Sequence, residues 1–167
     1  IHEKKPRNGV PLVDLAAAAG VLGSGRAVSQ LGWLKLDAAS HKLPGAFVAR
    51  VVGTSMEPRI PDGSYVLFRK PGPGNRQGRV MLVQCRGPTD PEEGGSYLLK
   101  IYERTRIGGQ EFVQLRSLDP TVESLLIDPG KVEIRAIADF VRVVGLGGAA
   151  FLGFLAAAAG ADRKSVV

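Results

Sequence analysis

The chain has 167 residues, a formal net charge of +6, 44% apolar residues and one cysteine. That length buries a single core without disulfides or metal. The lone Cys85 excludes an internal disulfide and a cysteine-based zinc site, which fits a reducing, cytoplasmic setting and a packing role in an apolar run. Lysines and arginines are scattered among acids, so a basic balance alone is a weak signal for direct nucleic-acid binding.

In chain order, the opening "IHEKKPRNGV" carries no signal peptide and reads as a fragment boundary, with room for a further domain upstream. Residues 1–9 are polar and expected to be loose. "VPLVDLAAAAG" (10–20) joins a short extended piece to an alanine run ended by glycine, and "VLGSGRAVSQ" is small and flexible. "LGWLKL" is a short strand. Strand signals then become dense: "AFVARVV", "SYVLFR", "RVMLVQC", "SYLLKIYER", "EFVQLRSL" and the long "VEIRAIADFVRVV". With 22 glycines, 11 prolines and no amphipathic helix between the strands, the expectation is a mainly β fold. Its form would be a coiled, mainly antiparallel sheet or partial barrel. Residues 143–160 lack charged and polar side chains. Few of them are large, so a buried or partner-packed tail is favoured over a membrane span. The expected division is an N-terminal segment 1–30, a domain 31–144 and an apolar tail 145–167. His2 and His41 have no metal spacing, and neither a metal nor another cofactor is expected.

The stretch "VVGTSMEPRIPDGSYVLF" (51–68) sets Ser55 in a bend between two strands. A serine hydroxyl needs a base to become a nucleophile. Histidine is not the expected base, because both histidines lie outside the strand-rich region and neither has a nearby acid in a suggestive pattern. No Gly-x-Ser-x-Gly elbow is present either. A neutral lysine can serve instead, if burial strips its proton. In "SYLLKIYER", alternation puts Leu98, Lys100 and Tyr102 on one strand face. Two readings of Lys100 stand: a desolvated base, or an edge-strand lysine pointing to water. Around Ser55, Gly53 permits close backbone approach, Pro58 and Pro61 stiffen the exit, Met56 packs beneath, and Asp62–Gly63 forms a turn. Backbone amides of Thr54 and Ser55 can form an oxyanion hole.

These residues resemble the self-cleaving Ser/Lys peptidases of the LexA and UmuD type. In that family a Gly-x-Ser-Met motif supplies the nucleophile, a Pro/Asp-Gly turn follows, and a later strand carries the lysine. The similarity spans about residues 10–144. It implies Ser55 and Lys100 as a catalytic dyad and self-cleavage at Ala19-Gly20, with the N-terminal segment as the peptide substrate. It also implies a homodimer, a RecA-type filament as trigger, and DNA contact only through an upstream domain, in a stress-response or repressor-type protein. A second "AAAAG" at 156–160 is read as a coincidence of composition. The apolar tail and the long "RGPTDPEEGG" loop depart from the family pattern. Two alternatives remain: a non-catalytic dimerisation or peptide-docking module of the same fold, and a signal peptidase, whose Gly-Asp box is missing after Lys100.

Overall fold

The computed structural model describes residues 1–15, 30–87 and 96–146. The apolar runs form strands β1 (Gly9–Val13), β2 (Gln30–Lys35), β3 (Phe47–Arg50), β4 (Tyr65–Arg69), β5 (Arg79–Arg86) and β6 (Ser96–Ile107). They continue as β7 (Gln110–Arg116), β8 (Leu125–Ile127) and β9 (Glu133–Gly145), with one short helix, α1 (Ala38–His41). The strands make one mixed sheet in the order β2-β1-β3-β4-β9-β5-β6-β7-β8. Only β1 and β3 pair in parallel; the other neighbours are antiparallel. The expected mainly β, largely antiparallel fold is thus present, as an open sheet rather than a closed barrel.

Strand β9 organises the sheet. Its first half, Glu133 to Asp139, pairs with β5, and its second half, Asp139 to Gly145, pairs with β4. Asp139 is the pivot, partnered by Arg69 on one side and Met81 on the other. Both faces of the central strands are packed although the described residues include only a four-residue helix. Alternate residues of β3 and β4 divide between two clusters: Phe47, Ala49, Val66 and Phe68 in one, Val48, Tyr65 and Leu67 in the other. Strand β5 does the same, sending Val80 and Leu82 to the first cluster and Met81 and Val83 to a third. This is why these strands read as nearly continuous apolar runs instead of alternating ones. Phe47 and Phe68 stack at 5.2 Å between ring centroids.

Two local features differ from the sequence reading. The first residues are not all loose: His2 exchanges backbone hydrogen bonds with Trp33, and Lys5 Nζ lies 5.1 Å from the Trp33 ring centroid. Strand β8 arises between the stretches "EFVQLRSL" and "VEIRAIADFVRVV", where no strand is expected; its three residues pair with Val113 to Leu115. Cys85 sits half-buried on β5 against the third cluster, and burial pushes its thiol up to about 11. No helix among the described residues is long and apolar enough to cross a membrane. The tail beyond residue 146 lies outside the described residues.

Candidate active site

The bend carrying Ser55 is the connection from β3 to β4, and its neck is closed by Val51 N–H donating to Ser64 O at 2.8 Å. Inside it the chain turns twice, with Glu57 N–H on Thr54 O at 3.1 Å and Ile60 N–H on Met56 O at 3.0 Å. Met56 and Ile60 are 3% and 1% exposed and anchor the bend in the first cluster. Burying two such side chains contributes roughly 1.5–3 kcal/mol each. Met56 therefore lies beneath the bend.

Asp62 does more than make a turn. Its Oδ1 accepts the Gly53 N–H at 2.8 Å, and its own N–H donates to Glu57 Oε1 at 3.2 Å. The carboxylate thus ties the exit of the bend to its entry, on both sides of Ser55. Gly53 and Gly63 have φ of 121° and 76°, a region that penalises a Cβ. The N–H groups of Thr54 and Ser55 donate to no acceptor among the described residues. Pro58 is exposed, and Pro61 and Ser55 are half-buried.

Lys100 lies on β6, between β5 and β7, with Met81 as its cross-strand partner. The edge-strand reading fails: Lys100 is 8% exposed. Leu98 and Tyr102, its neighbours on the same face, belong to the third cluster's packing, as alternation predicts. Burial alone holds the Lys100 ammonium below its usual pKa. Its Nζ donates to Ser117 Oγ at 2.9 Å, and Ser117 is itself 5% exposed. The partner of Lys100 in this structure is therefore Ser117, not Ser55.

Ser117 was not singled out from sequence, although a signal for it exists. Val113, Leu115 and Ser117 follow one another at period two, so Ser117 continues an apolar face next to a buried lysine. Two residues further on, Asp119 N–H donates to Ser55 O at 3.0 Å. Residues 117–119 therefore touch both sequence-derived candidates, Lys100 through a side chain and Ser55 through its backbone. A small cleft lies against Ser55, lined also by Gly53, Val51, Met56, Ile60 and Leu99. Ala19 and Gly20 lie outside the described residues. Among the described residues no His/Cys/Asp/Glu group could hold a metal.

The chain that carries the serine bend and the buried lysine matches a known family. Residues 11–139 match the family model described as Peptidase S24-like. No curated protein matches the chain. The match runs from within β1 through the Ser55 bend and Lys100 to the first half of β9, which is most of the chain. The chain belongs to the Peptidase S24-like family, the LexA/UmuD-type self-cleaving peptidases.

Proposed function

We propose that this chain is a serine endopeptidase that cuts its own N-terminal segment at Ala19-Gly20, with Ser55 as nucleophile and Lys100 as base. The observation carrying this reading is the state of Lys100. It is an almost fully buried lysine on an interior strand, with its pKa lowered by desolvation. Its hydrogen bond to Ser117 Oγ goes to the segment that also holds the backbone of Ser55. A merely structural lysine would be a costly choice at such a position.

In the proposed reaction the neutral amine donates one N–H to Ser117 Oγ and turns its lone pair toward the Ser55 hydroxyl. Lys100 takes the Ser55 proton as Oγ attacks the Ala19 carbonyl carbon. The N–H groups of Thr54 and Ser55 hold the oxyanion. The ammonium then returns the proton to the Gly20 nitrogen, the C–N bond breaks, and an ester joins Ser55 to Ala19. Water, deprotonated by Lys100, hydrolyses the ester and restores the hydroxyl. The cleft beside Ser55 has a volume of about 10 Å³. That is roughly the space of one water, which supports a methyl side chain such as that of Ala19 on the acyl side of the bond.

Cleavage of this kind would regulate a stress-response or repressor-type protein in the cytoplasm. The chain would act as a homodimer, with a RecA-type filament as trigger and DNA bound through an upstream domain. The bond from Lys100 to Ser117 also favours a second reading, in which the fold serves as a non-catalytic docking or dimerisation module. One experiment separates the two. Purified protein is incubated from neutral to strongly alkaline pH, and new N-termini are sequenced. A fragment beginning at Gly20, absent from Ser55→Ala and Lys100→Ala, supports self-cleavage. A folded chain that stays intact at every pH overturns it.

A further inference from the structure

We propose that the cavity where β4 and β5 part from β9 binds a phosphomonoester-type dianion through Arg59 and Arg69. The two strands share Asp139 of β9 as a partner and then diverge along opposite halves of it. That divergence opens a cavity of about 560 Å³ lined by Arg59, Arg69, Arg79, Gly72, Asp139 and Phe140 among others. Cavities of roughly 300–1,000 Å³ are the size that takes small-molecule ligands.

The charges of the cavity are unequal in their duties. Arg79 is committed to structure: its guanidinium donates to Gly72 O at 3.3 Å, Pro73 O at 2.7 Å and Asp139 Oδ2 at 3.3 Å. The same Oδ2 accepts the Gly72 N–H at 2.8 Å, so Asp139 and Arg79 together fasten the loop after β4. Arg59 and Arg69 have no such engagement. Arg59 lies with its guanidinium carbon 5.0 Å from the Phe140 ring centroid. Arg69 makes one long hydrogen bond, 3.4 Å, to Lys70 O. Neither has a carboxylate within ion-pair distance among the described residues. The remaining oxygen of Asp139, Oδ1, is buried and has no hydrogen-bond partner. Three guanidiniums and one carboxylate line the cavity, which leaves its lining with a net charge of +2.

Two planar guanidinium forks and a net charge of two match a dianion with several acceptor oxygens. A phosphomonoester carries that charge at neutral pH, because its second ionisation lies at about pH 6. A carboxylate or a phosphodiester carries one charge and leaves half of the cavity's charge unmet. The Phe140 ring holds Arg59 by its face and leaves the N–H edge of the guanidinium to the ligand. This site is independent of the peptidase reading, so the failure of one leaves the other standing.

The test uses inorganic phosphate as the probe and calorimetry on the full chain at low ionic strength. Saturable binding is expected at pH 7.5, several-fold weaker at pH 5.5. It should weaken by about tenfold or more in Arg59→Gln and in Arg69→Gln, as loss of a charge-assisted contact does. Arg106→Gln, at an exposed arginine paired with Glu111, should bind like the parent chain. Circular dichroism of each variant checks the fold, and Arg59→Lys should bind with intermediate strength. Equal binding in all variants, or an effect reproduced by chloride at matched ionic strength, overturns the proposal. Preference for dimethyl phosphate, acetate or a single-stranded oligonucleotide over phosphate overturns it as well.

Discussion

Lys100 Nζ donates to Ser117 Oγ at 2.9 Å, and both side chains are over nine-tenths buried. The hydroxyl is the ammonium's one hydrogen-bond partner among the described residues, and the charge on Lys100 is otherwise opposed by desolvation alone. A hydrogen bond to the charged form favours that form. Ser117→Ala should therefore lower the Lys100 pKa further and move the pH–rate profile of self-cleavage toward lower pH. The plateau rate should fall by about tenfold, because the amine loses the contact that aims its lone pair. Ser117→Thr should restore both midpoint and plateau. A pH profile for each variant checks this, since a purely structural role for Ser117 would change the rate without moving the midpoint.

The same buried lysine sets a sign for stability against pH. Its folded-state pKa lies below the usual 10.5, so between the two values the unfolded chain holds more protons than the folded one. Stability then rises with pH across that window, and the full penalty for the buried charge applies below it. Lys100→Met should remove this dependence. The stability of the parent relative to Lys100→Met should thus improve steadily as pH approaches 10.5 and be poorest near neutrality. Urea midpoints for the two chains across pH 7 to about 10.5 measure it.

The carboxylate of Asp62 holds Gly53 N–H at 2.8 Å across the loop that contains Ser55. Asp62→Ala removes that clasp and should cost about 1 kcal/mol, the net worth of one hydrogen bond. The cleavage rate should drop more than stability does, because the nucleophile's position depends on the loop. Asp62→Asn keeps an oxygen acceptor and should lie between the two. Cleavage rates measured beside denaturant midpoints distinguish positioning from simple loss of fold.

Much of this architecture is legible in the residues, for identifiable reasons. Strand β5 announces itself because burial on both faces demands an unbroken apolar run, and β9 because its β-branched and aromatic residues extend over thirteen positions with charges interspersed. The Ser55 bend is marked by backbone chemistry: Gly53, Pro58, Pro61 and Gly63 each restrict or free φ in a recognisable way. The burial of Lys100 is only half legible, since strand alternation gives its face but not whether β6 is central or at an edge. That depends on β7 folding back on β6 across Gly108-Gly109 and on β5 pairing along the other side, which alternation within β6 alone does not give. Ser117 escapes for the same reason, because its meaning arises only when two strands bring it against Lys100. The three-residue β8 is too short and too exposed to leave a periodic signal, with Leu125 and Leu126 at 43% and 51% exposure.

Away from the site, Asp37 connects the two ends of the described chain. It caps α1 by accepting Ser40 N–H at 2.8 Å and Ser40 Oγ–H at 2.8 Å, and it accepts from Arg142 of β9 at 2.7 Å. The hydrogen bonds from Ser40, with the nearby Arg142 guanidinium, bring its carboxyl down to about 2. Between that value and the ordinary 3.8, the unfolded chain again binds more protons, so the contribution is present above pH 4 or so and fades as pH falls toward 2. Asp37→Ala should abolish this share of the acid-side slope and leave the alkaline side unchanged. Asp37→Asn retains a cap through its amide oxygen and loses the charge. It should therefore keep more stability than Asp37→Ala at neutral pH while losing the same share of the acid-side slope, the rest of which Asp119 and Glu133, also held below their ordinary values, retain. Thermal midpoints of the three chains from pH 2 to 5 decide the point, and an acid limb unchanged in Asp37→Ala would assign that slope to other carboxylates.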